Sequence, residues 1–103
     1  MAEKTIAGVT VTVNAEGYFE NPLQWTKEMA AEMASEYNIT LTDKHMAVIQ
    51  FLRDKHIGGE ALSIRKVGSS GIVDIKEFYT LFPGGPLKIS SKLAGIPKPM
   101  SCV

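Results

Sequence analysis

The strongest constraint on this 103-residue chain is a change of hydrophobic period at Asn21. Before it, Val9-Thr10-Val11-Thr12-Val13 alternates β-branched apolar and hydroxyl residues, the period-2 pattern of a half-buried strand. Ala7-Gly8 can turn that strand back onto a short partner near Lys4 to Ile6, and Asn14-Ala15-Glu16-Gly17 turns it onward to Tyr18-Phe19. A meander this small does not hold by itself and must lie against helices.

After Asn21 the apolar residues recur every three or four positions. Asn21-Pro22-Leu23-Gln24 has the form of a helix start, with Asn at the N-cap, Pro at N1 and Gln at N3. Met29, Met33 and Tyr37, with Ala30 and Ala34, share one face, and Lys27, Glu28, Glu32 and Glu36 cover the other. Thr42 caps a second helix over about Asp43 to Lys55, with His45, Val48, Ile49, Phe51 and Leu52 on its apolar side. His45 and His56 share an azimuth, but about 16 Å of helical rise separates them, so they do not share a metal. Both read as structural or surface histidines.

Gly58-Gly59 ends that helix, and Ala61 to Val67 is a short helix or turn carrying Arg65-Lys66. Asp74 caps a third clear helix that stops at Pro83-Gly84-Gly85. Pro86 opens a last helix that runs to about Ala94 and is closed by Gly95. Ser91 near its end is expected to be solvated and chemically silent. The expected fold class is α+β: a small N-terminal β-meander on an array of about five helices, with an extended C-terminal arm.

Charge and cysteine usage exclude several functions. Eleven basic and eleven acidic residues cancel, so the broad basic footprint of a nucleic-acid binder is missing. The helix–Gly turn–helix over residues 43–67 faintly resembles a DNA-reading unit, but its second helix offers only Arg65 and Lys66. The longest apolar run is Met46 to Ile49, far short of the roughly 20 residues a membrane helix needs. No charged segment leads into an apolar one as in a signal peptide. One cysteine forms neither an internal disulfide nor a multi-thiolate metal site, so no metal or cofactor is expected. The expected setting is the reducing cytoplasm.

The tail Gly95-Ile96-Pro97-Lys98-Pro99-Met100-Ser101-Cys102-Val103 carries the chemistry. Pro97 and Pro99 remove backbone donors and favour an extended arm, which divides the chain into a globular domain over residues 1–94 and an arm over 95–103. Cys102 on such an arm is a presented thiol, and the thiolate fraction is the nucleophile. Lys98 and Lys92 are the cations expected to raise that fraction.

At this tail the sequence resembles a known family. Leu81-Phe82-Pro83-x-Gly85-Pro86 and Ala94-Gly95-Ile96-Pro97-Lys98-Pro99-x-x-Cys102-Val103 are similar to the DsrC/TusE family. Further matches are Gly17-Tyr18-Phe19, Trp25, Leu41-Thr42-x-x-His45, Val48-Ile49-x-Phe51-Leu52-Arg53 and Ile64-Arg65-Lys66, in order along essentially the whole chain. These are small sulfur-relay proteins and include the gamma subunit of dissimilatory sulfite reductase. The resemblance implies a β-meander against helices with a mobile C-terminal arm. It also implies that the penultimate cysteine receives sulfane sulfur as a persulfide and hands it on.

Two positions depart from the family pattern. DsrC proper has a second cysteine eleven residues before the penultimate one, and Ser91 stands there, so a two-cysteine cycle serving sulfite reductase is not expected. Met46 replaces a tryptophan common after the helix histidine. The single-thiol pattern resembles TusE, which implies a TusBCD-like complex, a tRNA thiolase or dissimilatory sulfite reductase as protein partners. The expected activity is a sulfurtransferase-type carrier with Cys102 as nucleophile and Arg65 and Lys66 available to dock an anionic partner surface. The alternatives are a non-catalytic subunit or regulator of sulfite reductase and a helix-turn-helix DNA-binding regulator.

Overall fold

Residues 2–98 are described by the computed structural model, and the first elements follow from the Val9–Val13 alternation. Strand β2 (Val9–Val13) pairs antiparallel with β1 (Ala2–Ile6), with Ile6 opposite Val9 and Ala2 opposite Val13. The turn between them needs positive φ at both central residues, and Ala7 and Gly8 supply +52° and +79°. Ala7 N donates to Glu32 Oε2 at 2.7 Å, which ties the hairpin tip to the first helix and holds the strained alanine in place. Val11 and Val13 face the core while Thr10 faces solvent, as period 2 requires. The third strand of the meander is reduced to one bridge, Val13 to Phe19. Asn14 curls the chain there, its side chain accepting from Glu16 N and Tyr18 N.

Five helices follow: α1 (Lys27–Glu36), α2 (Asp43–Ile57), α3 (Ile64–Gly68), α4 (Ile75–Leu81) and α5 (Pro86–Leu93). The fold is the expected α+β arrangement of a small sheet and about five helices. The helix start at Asn21 needs correction. Asn21 caps only a single 3₁₀ turn, Pro22–Gln24, after which Trp25 is extended and Thr26 caps α1 anew. Trp25 leaves the helical path because its indole is committed to the Leu93 carbonyl, 68 residues further along the sequence. Tyr37 also departs from its expected place on the apolar face, being 38% exposed at the C-cap of α1.

Helix α2 starts as its sequence dictates. Thr42 accepts from His45 N, and His45 Nδ1 accepts from Thr42 N at 3.1 Å, a capping box with histidine in the usual Glu/Gln position. His45 is buried, and its Nε2 lies 2.9 Å from Leu81 O, a carbonyl the end of α4 leaves open. A carbonyl only accepts, so the imidazole carries its proton on Nε2. His45 is therefore a structural residue joining α2 to α4. Ser63 and Asp74 cap α3 and α4 in the same way, by accepting from Lys66 N and Glu77 N.

The element that organises the core is α5. Pro86, Leu87, Ile89, Ser90, Ser91 and Leu93 are all buried, and the helix packs against α1, α2 and α4. Packing continues past the expected edge of the body at Ala94, since Gly95 and Ile96 are buried as well. Ser91 corrects the expectation of a solvated residue. It is fully buried, because Ala94, Gly95 and Ile96 turn inward instead of leading the chain away. Met46 is partly buried and packs against the core. Among the described residues no helix is long and apolar enough to cross a membrane.

Candidate functional site

The last helix, α5, ends at Leu93, and every open carbonyl at that end finds a donor. The last four carbonyls of an α-helix have no partner within it. Here Gly95 adopts φ +65°, so that Gly95 N donates to Lys92 O at 3.1 Å and Ile96 N to Ser91 O at 3.3 Å. This is the Schellman pair of bonds, for which a left-handed residue is required. The next two carbonyls are served by side chains from distant segments. Trp25 Nε1 donates to Leu93 O at 2.7 Å, and Arg53 Nη1 donates to Ala94 O at 2.8 Å. Arg53 Nη2 also donates to Pro22 O at 3.1 Å, closing the 3₁₀ turn onto α2.

The two side chains also hold each other. The Arg53 guanidinium lies 4.2 Å from the centre of the Trp25 ring, a stacked cation–π contact. Burial lowers the guanidinium's pKa, and the neighbouring Asp54 charge works against that shift. The group stays charged, since arginine does not deprotonate in proteins. Gly95 packs flat on Trp25, and a Cβ at position 95 would collide with the indole Cβ, Cγ and Cδ1. Trp25, Arg53 and Gly95 thus form one clamp around the C-terminal end of α5. In the sequence, Trp25 and Arg53 stand out only as part of a resemblance, and Gly95 also as the stop of the last helix. The physical signal was the position of Arg53, directly after buried Leu52, where the polar and apolar faces of α2 meet.

Of the residues expected to support the thiol, Lys92 and Lys98 are brought together, and an acid joins them. Lys98 Nζ bonds both Glu16 carboxylate oxygens, at 3.0 and 3.1 Å, across 82 residues of sequence. Lys92 Nζ lies 5.2 Å from the centre of the buried Tyr18 ring. The hydrogen bond from Lys98 pulls the Glu16 carboxyl below its ordinary value, with Lys88 and Lys92 adding smaller attractions and desolvation opposing them. The Lys98 ammonium is therefore engaged by Glu16. No sequence signal marks Glu16, an acid in an exposed turn. Pro97 and Lys98 border a shallow groove of about 320 Å³ with His56 and Leu62. Pro99 and Cys102 lie outside the described residues.

Arg65 and Lys66 sit elsewhere, on α3, and line a separate groove of about 530 Å³ with Phe51, Lys55 and Glu60. Arg65 is exposed, while Lys66 is half-buried and faces Glu60 at 3.6 Å. Glu60 lines both this groove and the one bordered by Pro97 and Lys98, so the two adjoin. The buried Ser91 Oγ has no hydrogen-bond partner among the described residues. Among the described residues, no three His, Cys, Asp or Glu side chains cluster as metal ligands would.

The family model described as "DsrC like protein" matches residues 5–103. A Photorhabdus laumondii protein named "Sulfurtransferase TusE" is 31% identical, covering 93% of this chain and 94% of its own length. The NMR structure of Allochromatium vinosum DsrC superimposes with a TM-score of 0.80 at 34% identity, covering 99% of this chain and all of that one (100%). The oxidised gamma-subunit of the dissimilatory sulfite reductase (DsrC) from Archaeoglobus fulgidus gives a TM-score of 0.82 at 29% identity, with 99% and 100% covered.

Replacing the clamp glycine tests its geometry. A left-handed residue bearing a Cβ costs roughly 1–2 kcal/mol. Gly8→Ala should show that cost alone, because the space around Gly8 is open at φ +79°. Gly95→Ala should lose distinctly more in urea unfolding, since the indole must also move. Equal losses for the two variants would contradict the clamp.

The Glu16–Lys98 bond predicts a pH dependence. A carboxyl whose folded pKa is lowered stabilises the fold above its ordinary value of 4.5, and that contribution disappears as pH falls through the lowered value. In an NMR titration Glu16 should protonate below 4.5, and Lys98→Met should move it back up. A Glu16 titration indifferent to Lys98→Met would show that the bond does not persist in solution.

Proposed function

Because the chain belongs to the DsrC-like protein family, we propose that it is a sulfur-relay protein that carries sulfane sulfur as a persulfide on Cys102. The reading is supported above all by the single thiol following a helix end that four separate donors fix in place. A donor persulfide R–S–SH has an electrophilic terminal sulfur once its inner sulfur can leave as a thiolate. The Cys102 thiolate attacks that terminal sulfur, the S–S bond of the donor breaks, and R–S⁻ departs. The product is Cys102–S–SH, and the same exchange in reverse delivers the sulfur to an acceptor thiol. Sulfur moves without any net oxidant or reductant, so one cysteine suffices.

The thiol works best near its own pKa, and nearby cations raise the thiolate fraction. In this reading Lys92 supplies that field, Lys98 supplies it less while Glu16 holds it, and Pro97 and Pro99 keep the chain beyond the buried Ile96 extended as an arm. Arg65 and Lys66 dock an anionic surface of the partner. The relay partners are proteins, in the manner of a TusBCD-like complex and a tRNA thiolase, within the cytoplasm. A role as gamma subunit of dissimilatory sulfite reductase fits the family equally well, but Ser91 cannot form the disulfide that a two-thiol cycle needs.

Incubation with a small-molecule persulfide donor should add one sulfur atom, about 32 Da, to the intact mass of the chain. Cys102→Ser should gain nothing under the same conditions, and Ser91→Ala should load like the native chain. Equal uptake by Cys102→Ser would sink the carrier reading. Failure of folded Ser91→Ala to load would make Ser91 part of the site.

A further inference from the structure

The groove between the C-terminal half of α2 and α3 already holds one carboxylate of its own chain. Glu60 places one oxygen 3.3 Å from Lys55 Nζ and the other 3.6 Å from Lys66 Nζ. The Lys55 hydrogen bond, then its charge, then Lys66 hold that carboxyl below its ordinary value. Lys55 Nζ also lies 5.6 Å from the centre of the Phe51 ring, so the groove has an apolar floor beneath its cations. Three cations, Lys55, Arg65 and Lys66, thus line the groove against one carboxylate. Arg65 is exposed, and among the described residues no carboxylate lies within ion-pair distance of it.

We propose that this groove docks an acidic peptide segment of the relay partner, with a carboxylate on Arg65 and an apolar side chain over Phe51. The proposal deepens the sulfur-relay reading and rests on it for the identity of the partner that supplies the segment. Glu60 shows the chemistry the groove selects, since it is a carboxylate seated between two lysines beside an aromatic ring. The guanidinium fork of Arg65 accommodates a second carboxylate in two parallel hydrogen bonds, a geometry that lysine does not offer. The small excess of positive charge suits a few carboxylates. A nucleic acid would require a basic footprint of many phosphate contacts, which a chain of zero net charge does not provide. The position is also apt, because Glu60 borders the groove in which Pro97 and Lys98 lie, so a partner seated here meets the root of the arm.

The test uses the whole chain and a defined probe, an acetylated pentapeptide of four glutamates around a central tryptophan. In two-dimensional amide NMR the peptide should shift the backbone signals of residues 63–70 and Phe51 saturably. Loss of one charge-assisted hydrogen bond costs about 1.5–3 kcal/mol, so Arg65→Ala should weaken binding by about tenfold or more. Because Arg65 is exposed, the remaining spectrum should be unchanged. Undiminished peptide binding by Arg65→Ala, or shifts confined to Lys88 and Lys92, would overturn the proposal. So would tighter binding of a deoxythymidine decamer than of the peptide at residues 63–70, which would make the surface a nucleic-acid site. Persulfide loading of the native chain by a small-molecule donor, beside its peptide binding, separates the two claims. Normal loading with no peptide binding by the native chain removes the docking groove alone. Normal peptide binding with no loading of the native chain removes the carrier reading alone.

Discussion

The contact on which the rest depends is the stacked pair of Trp25 and Arg53 at the end of α5. A helix that ends inside a protein leaves carbonyl oxygens that cost about 1–3 kcal/mol each when buried without a partner. Two of the four are answered by the chain's own turn at Gly95, and two by side chains from far upstream. Removing either side chain would leave a carbonyl unpaired and take away half of the cation–π contact that keeps the other in place. The clamp also explains why the chain breaks between Pro22 and Thr26. Trp25 must be extended for its indole to reach Leu93, so the 3₁₀ turn and α1 are separate helices with separate caps.

From this anchored root the chain leaves through a field of alternating charges. Glu16 gathers Lys98 on one side, and Glu60 gathers Lys55 and Lys66 on the other. Exposed ion pairs of this kind contribute little to stability. Their effect is on orientation, and they determine which cations remain available to a thiolate or a partner. Lys98 is engaged, Lys92 lies over Tyr18, and Arg65 faces solvent. Rigid root, ordered charges and a single thiol further along form a consistent sequence from fold to chemistry.

Much of this was legible in the residues. Thr42 before Asp43, Asp74 before Ile75 and Pro86 after two glycines marked three helix starts correctly, because each cap acts within one turn of chain. The Val-Thr alternation marked β2 for the same local reason. What could not be read were features set by partners distant in sequence. Asn21-Pro22 carries a sound helix signal, yet Trp25 overrides it for the sake of a carbonyl 68 residues away. Ser91 has the polarity of a surface residue, but the inward turn of Ala94 to Ile96 closes over it. Glu16 gave no hint that Lys98 would return to it. The family resemblance pointed to Trp25, Arg53 and Gly95 together without saying that they touch.

The central claim is that one thiol beyond the clamp takes up sulfur and gives it back. Repeated loading and discharge measures this directly: the chain is charged with sulfane sulfur, freed of excess donor, and discharged with cyanide, and the released thiocyanate is counted over successive rounds. The account predicts one thiocyanate per chain in every round, with the intact mass returning to its starting value each time, and none from Cys102→Ser. Sulfur that stays on the chain after cyanide, or a chain that loads once and never again, would contradict it.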